Sequence, residues 1–545
     1  MMTADTLVLN LTRFGDLLQS QALIQDLHDS GRTVGLVCLE NFAPALPLLR
    51  CVDAAWPLPA ARLMADMDAD WRNAAGRLLD FVRRVRRQSR ARWVINLTPT
   101  LPARLLTRLL APPRAAVLGF GLDAEGFGVN GGVWSSFLRG ATARRLNTPF
   151  NLVDMFRMVG AGACAPEITG RPGRFTLRQP SGQALSYAEG LLGGVVNTVP
   201  DMPGIAGFVG FQLGASEARR QWPAEYFAAL GERLWREQAL CPVLLGAPVE
   251  TALYEQYARV AGSPFVNAVG KTDIPQLAAL LGKCRMLVTN DTGTMHLAAG
   301  LGVPCLAIFL ATAQAWDTSP YLADCCCLEP ALACHPCDYS CPCPHEFKCL
   351  QTVSPQSVGD LVLSRLSGRG WEAGIRPDMR ARAWVTNVDA WGFSGVRCLS
   401  GHETEDRSLW LGQQRLFWRQ ILDDLSDGRG MGKGAVSDEA PPYSAAFRDE
   451  VGSALSDAAR LLDLLVEQGR MTGKIPKAGQ LFLRTCDHVQ QRLDACKPLS
   501  SLAHFWRELL QDRGDRMEEL LRFTARLSAH LAAAAALRSN GRSNR

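Results

Sequence analysis

Leu287-Val-Thr-Asn-Asp291-Thr-Gly-Thr-Met-His296-Leu-Ala-Ala-Gly-Leu-Gly-Val-Pro-Cys-Leu-Ala-Ile-Phe309 is the stretch that decides the fold. Two apolar runs, Met286–Thr289 and Cys305–Phe309, have strand length and flank a polar turn and a small-residue helical segment. This predicts a β–turn–α–β unit, the building block of a parallel sheet. In open α/β folds the turn after the first strand lies at the carboxyl edge, where ligands bind. Here it carries Asp291, Thr292, Gly293 and Thr294 and opens a helix whose free N–H groups attract anions, with His296 on the first turn. Ordinary helix capping accounts for the same Asp and Thr residues. On mechanism alone both readings stand.

Two further stretches bear on the choice. Leu7-Val-Leu-Asn-Leu-Thr-Arg-Phe-Gly15-Asp16-Leu-Leu is a strand running into a Gly-Asp turn. Phe208-Val-Gly-Phe-Gln-Leu-Gly214-Ala-Ser216-Glu-Ala-Arg-Arg220-Gln-Trp222-Pro223 is a strand followed by a loop whose glycine lets backbone approach a phosphate. Together with Asn290–Pro304, and in this order, they resemble the motifs of glycosyltransferase family 9, which includes the lipopolysaccharide heptosyltransferases. The resemblance spans most of residues 1–365 and implies two facing Rossmann-like domains, the GT-B architecture. It departs from the family at Gln21, commonly Pro, and at Arg220, commonly Lys.

Length and composition set the bounds. At 545 residues two or three domains are expected, and 47% apolar with 20% charged residues is ordinary for a globular protein. A net charge of +5 implies no nucleic-acid partner. The start, Met1-Met-Thr-Ala-Asp5, has no basic region of the kind that opens a signal peptide, and no apolar run reaches membrane-span length. The expectation is a cytoplasmic protein, with any contact at the inner face of a membrane peripheral. The seventeen cysteines then read as thiols or metal ligands rather than disulfides.

Residues 1–178 are expected to form the first, acceptor-side Rossmann-like domain. Its first turn lacks Gly-x-Gly-x-x-Gly, so a dinucleotide is not the expected ligand. Asp16 is either a helix-start carboxylate or, as the resemblance implies, the general base of the reaction. Arginines crowd into residues 83–92. Such a run is most often a solvated helix face, and the alternative is a patch for an anionic acceptor or lipid headgroup. Arg13, Arg83 and Arg87 are the acceptor-side candidates.

Residues 179–367 are expected to form the second, nucleotide-sugar domain. Gly214, Ser216, Arg220, Asp291, Thr292, Gly293, Thr294 and His296 are its donor-binding candidates, and Trp222 is read as core. Within the Cys-rich loop 325–349, Cys334, Cys337, Cys341 and Cys343 have chelating spacings. The loop also resembles a Cys-bearing loop of the family that acts without metal, and no metal or other cofactor is expected. Residues 368–545 are expected to be a mainly helical appended region, with a linker at 427–443 rich in Gly and Pro.

The expected activity is transfer of a heptose-like sugar from a nucleotide-sugar donor, such as an ADP-heptose-like one, to a glycan or lipopolysaccharide-type acceptor. The resemblance implies inversion, and the absence from the donor-binding stretches of an Asp-x-Asp motif of the kind that holds a divalent ion in other glycosyltransferases is consistent with metal independence. An inactive GT-B scaffold serving assembly, and a nucleotide-sugar epimerase-like enzyme, are the competing readings.

Overall fold

The computed structural model describes residues 3–143, 145–196, 204–427, 442–472, 474–514 and 516–539. The chain divides into two compact units, one of residues 1–121 and 150–400, the other of residues 122–149 and 401–545. Most of the expected linker, residues 428–441, lies outside the described residues, as do residues 197–203 of the Gly- and Pro-rich boundary between the two sheets.

The first unit is α/β and contains two Rossmann-like sheets. Strands β1 (Ala4–Asn10), β2 (Val34–Leu39), β3 (Ala54–Leu58), β4 (Ser89–Asn96) and β5 (Ala116–Leu122) are parallel, in the order 3-2-1-4-5. A short strand, β6 (Gly128–Gly131), belongs to the second unit. The second sheet holds β7 (Gly207–Gln212), β8 (Leu240–Leu245), β9 (Val266–Asn267), β10 (Cys284–Asn290), β11 (Cys305–Ile308), β12 (Cys326–Pro330), β13 (Ala381–Val388) and β14 (Ser394–Cys398), in the order 14-13-12-11-10-7-8-9.

Strands covered on both faces by helices must be apolar throughout, and β8 and β11 are buried along their whole length. The connecting helices are started by local chemistry. Asp273, for example, accepts from the Gln276 N–H at 2.8 Å while the Gln276 side chain accepts from the Asp273 N–H at 3.0 Å. This reciprocal cap fixes the start of the helix Ile274–Lys283, which leads into β10.

The region after residue 368 opens on a single 3-10 turn, Glu372–Gly374, and then two strands, before any of its α-helices. β13 pairs antiparallel with β12, and β14 with β13, so residues 381–398 extend the second sheet. Ala381, Ala383 and Val385 alternate along β13 and join the core that holds Cys326 and Leu328. A lone hairpin would be marginal in water; the open edge of β12 and this core supply what it lacks.

The second unit is mainly helical. The helices Ala445–Met471, Ala478–Ala495, Ser500–Arg513 and Met517–Ser539 belong to it with Asp406–Asp427 and the distant helix Val133–Ala143. Phe137 packs against Trp418 at 4.7 Å and Phe505 at 6.5 Å between ring centroids, and the Asn130 N–H donates to Asp512 Oδ1 at 2.6 Å. Segment 122–149 thus leaves the first unit to complete the core of the second.

Candidate active site

In both sheets the strand order reverses once, between β1 and β4 in the first and between β7 and β10 in the second. Such reversals open a crevice at the carboxyl ends of the strands. Asp16 follows β1, Gly214 follows β7, and Asp291 follows β10. The three motifs that carry the family resemblance therefore each lie at one of the two crevices.

The two crevices meet. A Cβ placed on Gly15 would lie 3.0 Å from His296 Cδ2 and 3.4 Å from Gly293 Cα. Conversely, a Cβ on Gly293 would lie 2.5 Å from the Phe14 ring and 3.3 Å from the Gly15 nitrogen. The helix Phe14–Gln19 and the helix Gly293–Gly300 approach so closely because both carry glycine at the contact. Half-buried Asp16 stands one residue beyond it, its Oδ2 accepting from the Arg13 N–H at 3.4 Å, while Asn10 Nδ2 donates to the Asp16 carbonyl at 2.9 Å.

On the donor side, Arg220 is buried and forms an ion pair with Asp291, while also donating to Ser216 Oγ at 3.2 Å. The exposed serine, the arginine and the Asp291 turn are thereby joined across two strand ends. Thr292 caps the helix Gly293–Gly300 and, like Gly293, keeps solvent access. Its hydroxyl lies 3.3 Å from that of Thr289. The free N–H groups of this helix start, backed by the Arg220–Asp291 pair, form a polar surface suited to a diphosphate.

Three residues that the sequence reading did not assign hold this surface in shape. Asn290 donates to the carbonyls of Gln212, Leu213 and Gly214 at 3.3, 2.9 and 3.2 Å, and accepts from the Trp222 N–H at 2.9 Å. It staples the loop after β7 to the end of β10. Gln212 accepts from Thr294 Oγ1 at 2.9 Å and donates to Glu250 Oε2 at 3.4 Å, and Glu250 also accepts from the Ala247 N–H at 2.6 Å. Burial lifts the Glu250 carboxyl above its ordinary value, against the pull of the Ala247 N–H and the Gln212 side chain. Asn290 and Gln212 both stand within the quoted motifs, though nothing there marks their roles; Glu250 had no sequence signal. Trp222 packs edge-on against Phe227, in the core as expected.

Gly214 is needed for this arrangement, because a Cβ there would lie 1.4 Å from Glu250 Oε1. Gly214→Ala is expected to expel the Glu250 side chain and cost about 1–3 kcal/mol through its lost hydrogen bonds. Adding Glu250→Ala should remove the clash, so the double variant should lose less than the sum of the singles in chemical denaturation. Additive losses would refute the packing argument.

The remaining candidates are more dispersed. Arg13 is exposed beside the Asp16 turn. Arg83 and Arg87 lie in the second half of the helix Trp71–Gln88, which runs back to the amino end of β4. Arg87 is therefore at the opposite edge of the sheet from Asp16. In the Cys-rich loop, His335 Nε2 lies 3.0 Å from the Ala313 carbonyl and the Cys337 N–H donates to Ala311 at 2.8 Å, anchoring the loop beyond β11. Burial pushes the Cys337 thiol up to about 11. Among the described residues no group of three or more His, Cys, Asp or Glu side chains is placed to hold a metal ion. No helix among the described residues is long and apolar enough to cross a membrane.

Residues 194–344 match the family model for glycosyltransferase family 9 (heptosyltransferase). The chain is 30% identical over 121 residues to lipooligosaccharide heptosyltransferase 2 of Haemophilus influenzae, covering 21% of this chain and 34% of that protein. It is 32% identical over 165 residues to lipooligosaccharide heptosyltransferase 2 of Campylobacter jejuni, covering 28% and 48%. These matches span between a third and a half of the relatives' length. Among solved structures, the glycosyl transferase family 9 protein from Veillonella parvula superposes with a TM-score of 0.52 at 18% identity, over 68% of this chain and 99% of that one. That likeness concerns the fold.

Proposed function

We propose that the chain is a glycosyltransferase of family 9, in keeping with the match of residues 194–344 to that family's model, and that it transfers a sugar from a nucleotide-sugar donor to a hydroxyl of a glycan or lipid-linked acceptor. The observation that carries this reading is the contact of Gly15 with Gly293 and His296, which sets Asp16 beside the start of the proposed donor helix. Residues 179–367 take the donor and residues 1–178 the acceptor. The diphosphate rests on the Thr292–Thr294 N–H groups, Ser216 and Arg220, where negative charge on the leaving group is stabilised. Asp291 orients Arg220 through their ion pair. His296 faces the sugar, and Arg13 flanks the acceptor.

Asp16 takes the acceptor proton, and the new bond forms on the face opposite the leaving diphosphate, giving inversion. Arg220 supplies a fixed cation where other enzymes use a divalent ion, so the reaction is metal-independent. The sugar is heptose-like and the acceptor of the lipopolysaccharide type, in keeping with the names of the relatives; the donor carries it on a nucleoside diphosphate such as ADP, and the acceptor is met at a membrane surface.

The test is binding of ADP-, UDP-, GDP- and CMP-sugars, read as thermal stabilisation of the folded protein. One class should stabilise it, and Arg220→Ala should weaken that ligand about 10- to 100-fold, the range for a lost charge-assisted hydrogen bond. Thr292→Val should weaken it by less. Unchanged affinity in both variants would remove the donor assignment.

A further inference from the structure

We propose that the outer face of the paired helices Trp71–Gln88 and Leu101–Leu110 is a docking surface for an anionic lipid bilayer. The two helices share one core beneath them, where Phe81, Val82 and Val85 of the first meet Leu106 and Leu110 of the second. With that face satisfied, the second helix still presents Leu101, Leu105 and Leu109 to solvent, 59%, 47% and 38% exposed. The spacing of four places all three on one stripe. Leu79 of the neighbouring helix is 45% exposed. Nothing in the folding of the sheet calls for leucine at these positions.

The charge of the surrounding surface identifies the partner. Arg83, Arg86, Arg87 and Arg108 are all exposed on these two helices, and Arg90 and Arg92 follow at the start of β4. Among the described residues only Arg83 of the cluster 83–92 has a carboxylate partner, Asp80 at 3.2 Å. A protein partner for an apolar stripe would not need such a density of exposed arginines. A surface of leucines edged by arginines matches acyl chains beneath a layer of phosphates. The other exposed apolar side chains nearby, Met64, Met67 and Trp71, are interleaved with Asp66, Asp68 and Asp70 and fit such a surface poorly. The arginines that the sequence singled out thus serve to seat the protein, at a distance from the Asp16 crevice. This deepens the lipid-linked acceptor reading but is measured without it, since vesicle binding needs no transfer.

Full-length protein is centrifuged with phosphatidylcholine vesicles, with and without phosphatidylglycerol. Binding is expected to the anionic vesicles, weakening as salt is raised. Arg86→Glu/Arg87→Glu should weaken it at least about 20-fold, from the contribution of two basic side chains near such a surface. Leu101→Ser/Leu105→Ser/Leu109→Ser should weaken it about tenfold or more even at low salt. Thermal unfolding checks both proteins, and the arginine variant carries the test if the leucine variant misfolds. No binding to anionic vesicles at low salt, equal binding to neutral ones, or wild-type binding by both variants would each overturn the proposal. So would a wild-type dimer, seen by sedimentation velocity, that the leucine variant abolishes, because the face would then belong to a second copy of the chain.

Discussion

Asp16→Asn is expected to lower sugar-transfer turnover by roughly 10²–10⁴-fold, the usual worth of general-base help, while donor affinity stays close to wild type. The substitution keeps shape and removes basicity. An Asn oxygen can still accept from the Arg13 N–H, as Asp16 does at 3.4 Å, so the helix start should survive. The donor surface is built from groups on the other sheet and does not use the Asp16 carboxylate. A side chain that merely caps a helix would give a different result, with turnover nearly unchanged because Asn caps almost as well as Asp. Turnover measured with a working acceptor, together with donor affinity and the thermal midpoint, separates the two cases. Near-normal turnover in a folded variant would remove Asp16 as the base.

Arg157→Met should have the largest effect on stability, about 3–5 kcal/mol, as expected when one partner of a buried ion pair is removed. Arg157 is 1% exposed and donates to Asp26 at 2.7 Å, Asp154 at 3.3 Å and the Arg171 carbonyl at 2.8 Å. Asp154 in turn accepts from the Tyr321 hydroxyl at 2.6 Å and from the Ser394 N–H at 2.8 Å. One guanidinium therefore ties two helices of the first sheet to the second sheet's β11–β12 connection and hairpin. Burial works against the Arg157 charge, yet the net shift is upward because Tyr321, Asp26 and Asp154 surround it.

The same network gives a pH signature. Burial already lifts the Asp26 carboxyl above its ordinary value, against the pull of Arg157. Without Arg157 it should rise further, so the folded variant binds more protons than its unfolded chain. Stability then falls as pH rises, from about 3.9, where an unfolded Asp titrates, through the raised folded value. The deficit against wild type should be smaller at pH 5 than at pH 8 in chemical denaturation. A deficit under 1 kcal/mol, or one independent of pH, would show that the network is not the interdomain tie its geometry suggests.

The turns that carry the proposed site were legible because their signals are local. Asp16, Gly214, Arg220 and Asp291–His296 lie on short strand-to-helix turns, where residue type and spacing over ten or fifteen positions are enough to read a phosphate-binding geometry. The strands themselves were readable as apolar runs bounded by turn residues. The roles of Gln212 and Glu250 were not, since Gln212 acts through Thr294 on a helix and Glu250 on a 3-10 turn, and nothing in the spacing of the three reveals a shared chain of hydrogen bonds. The hairpin 381–398 was hidden for the same reason, because its stability comes from β12 and a core already formed.

By itself, then, the sequence determined two parallel-sheet halves, the turns at their strand ends that carry the proposed chemistry, and a helical region after them. Only the tertiary structure decided that Gly15 and Gly293 touch, that segment 122–149 crosses to the helical unit, and that Arg87 sits at the far edge of the sheet from Asp16. The physical reason is separation along the chain. Periodicity and turn chemistry are written within a few residues, whereas the pairing of surfaces hundreds of residues apart is settled by which apolar faces and buried charges can satisfy one another.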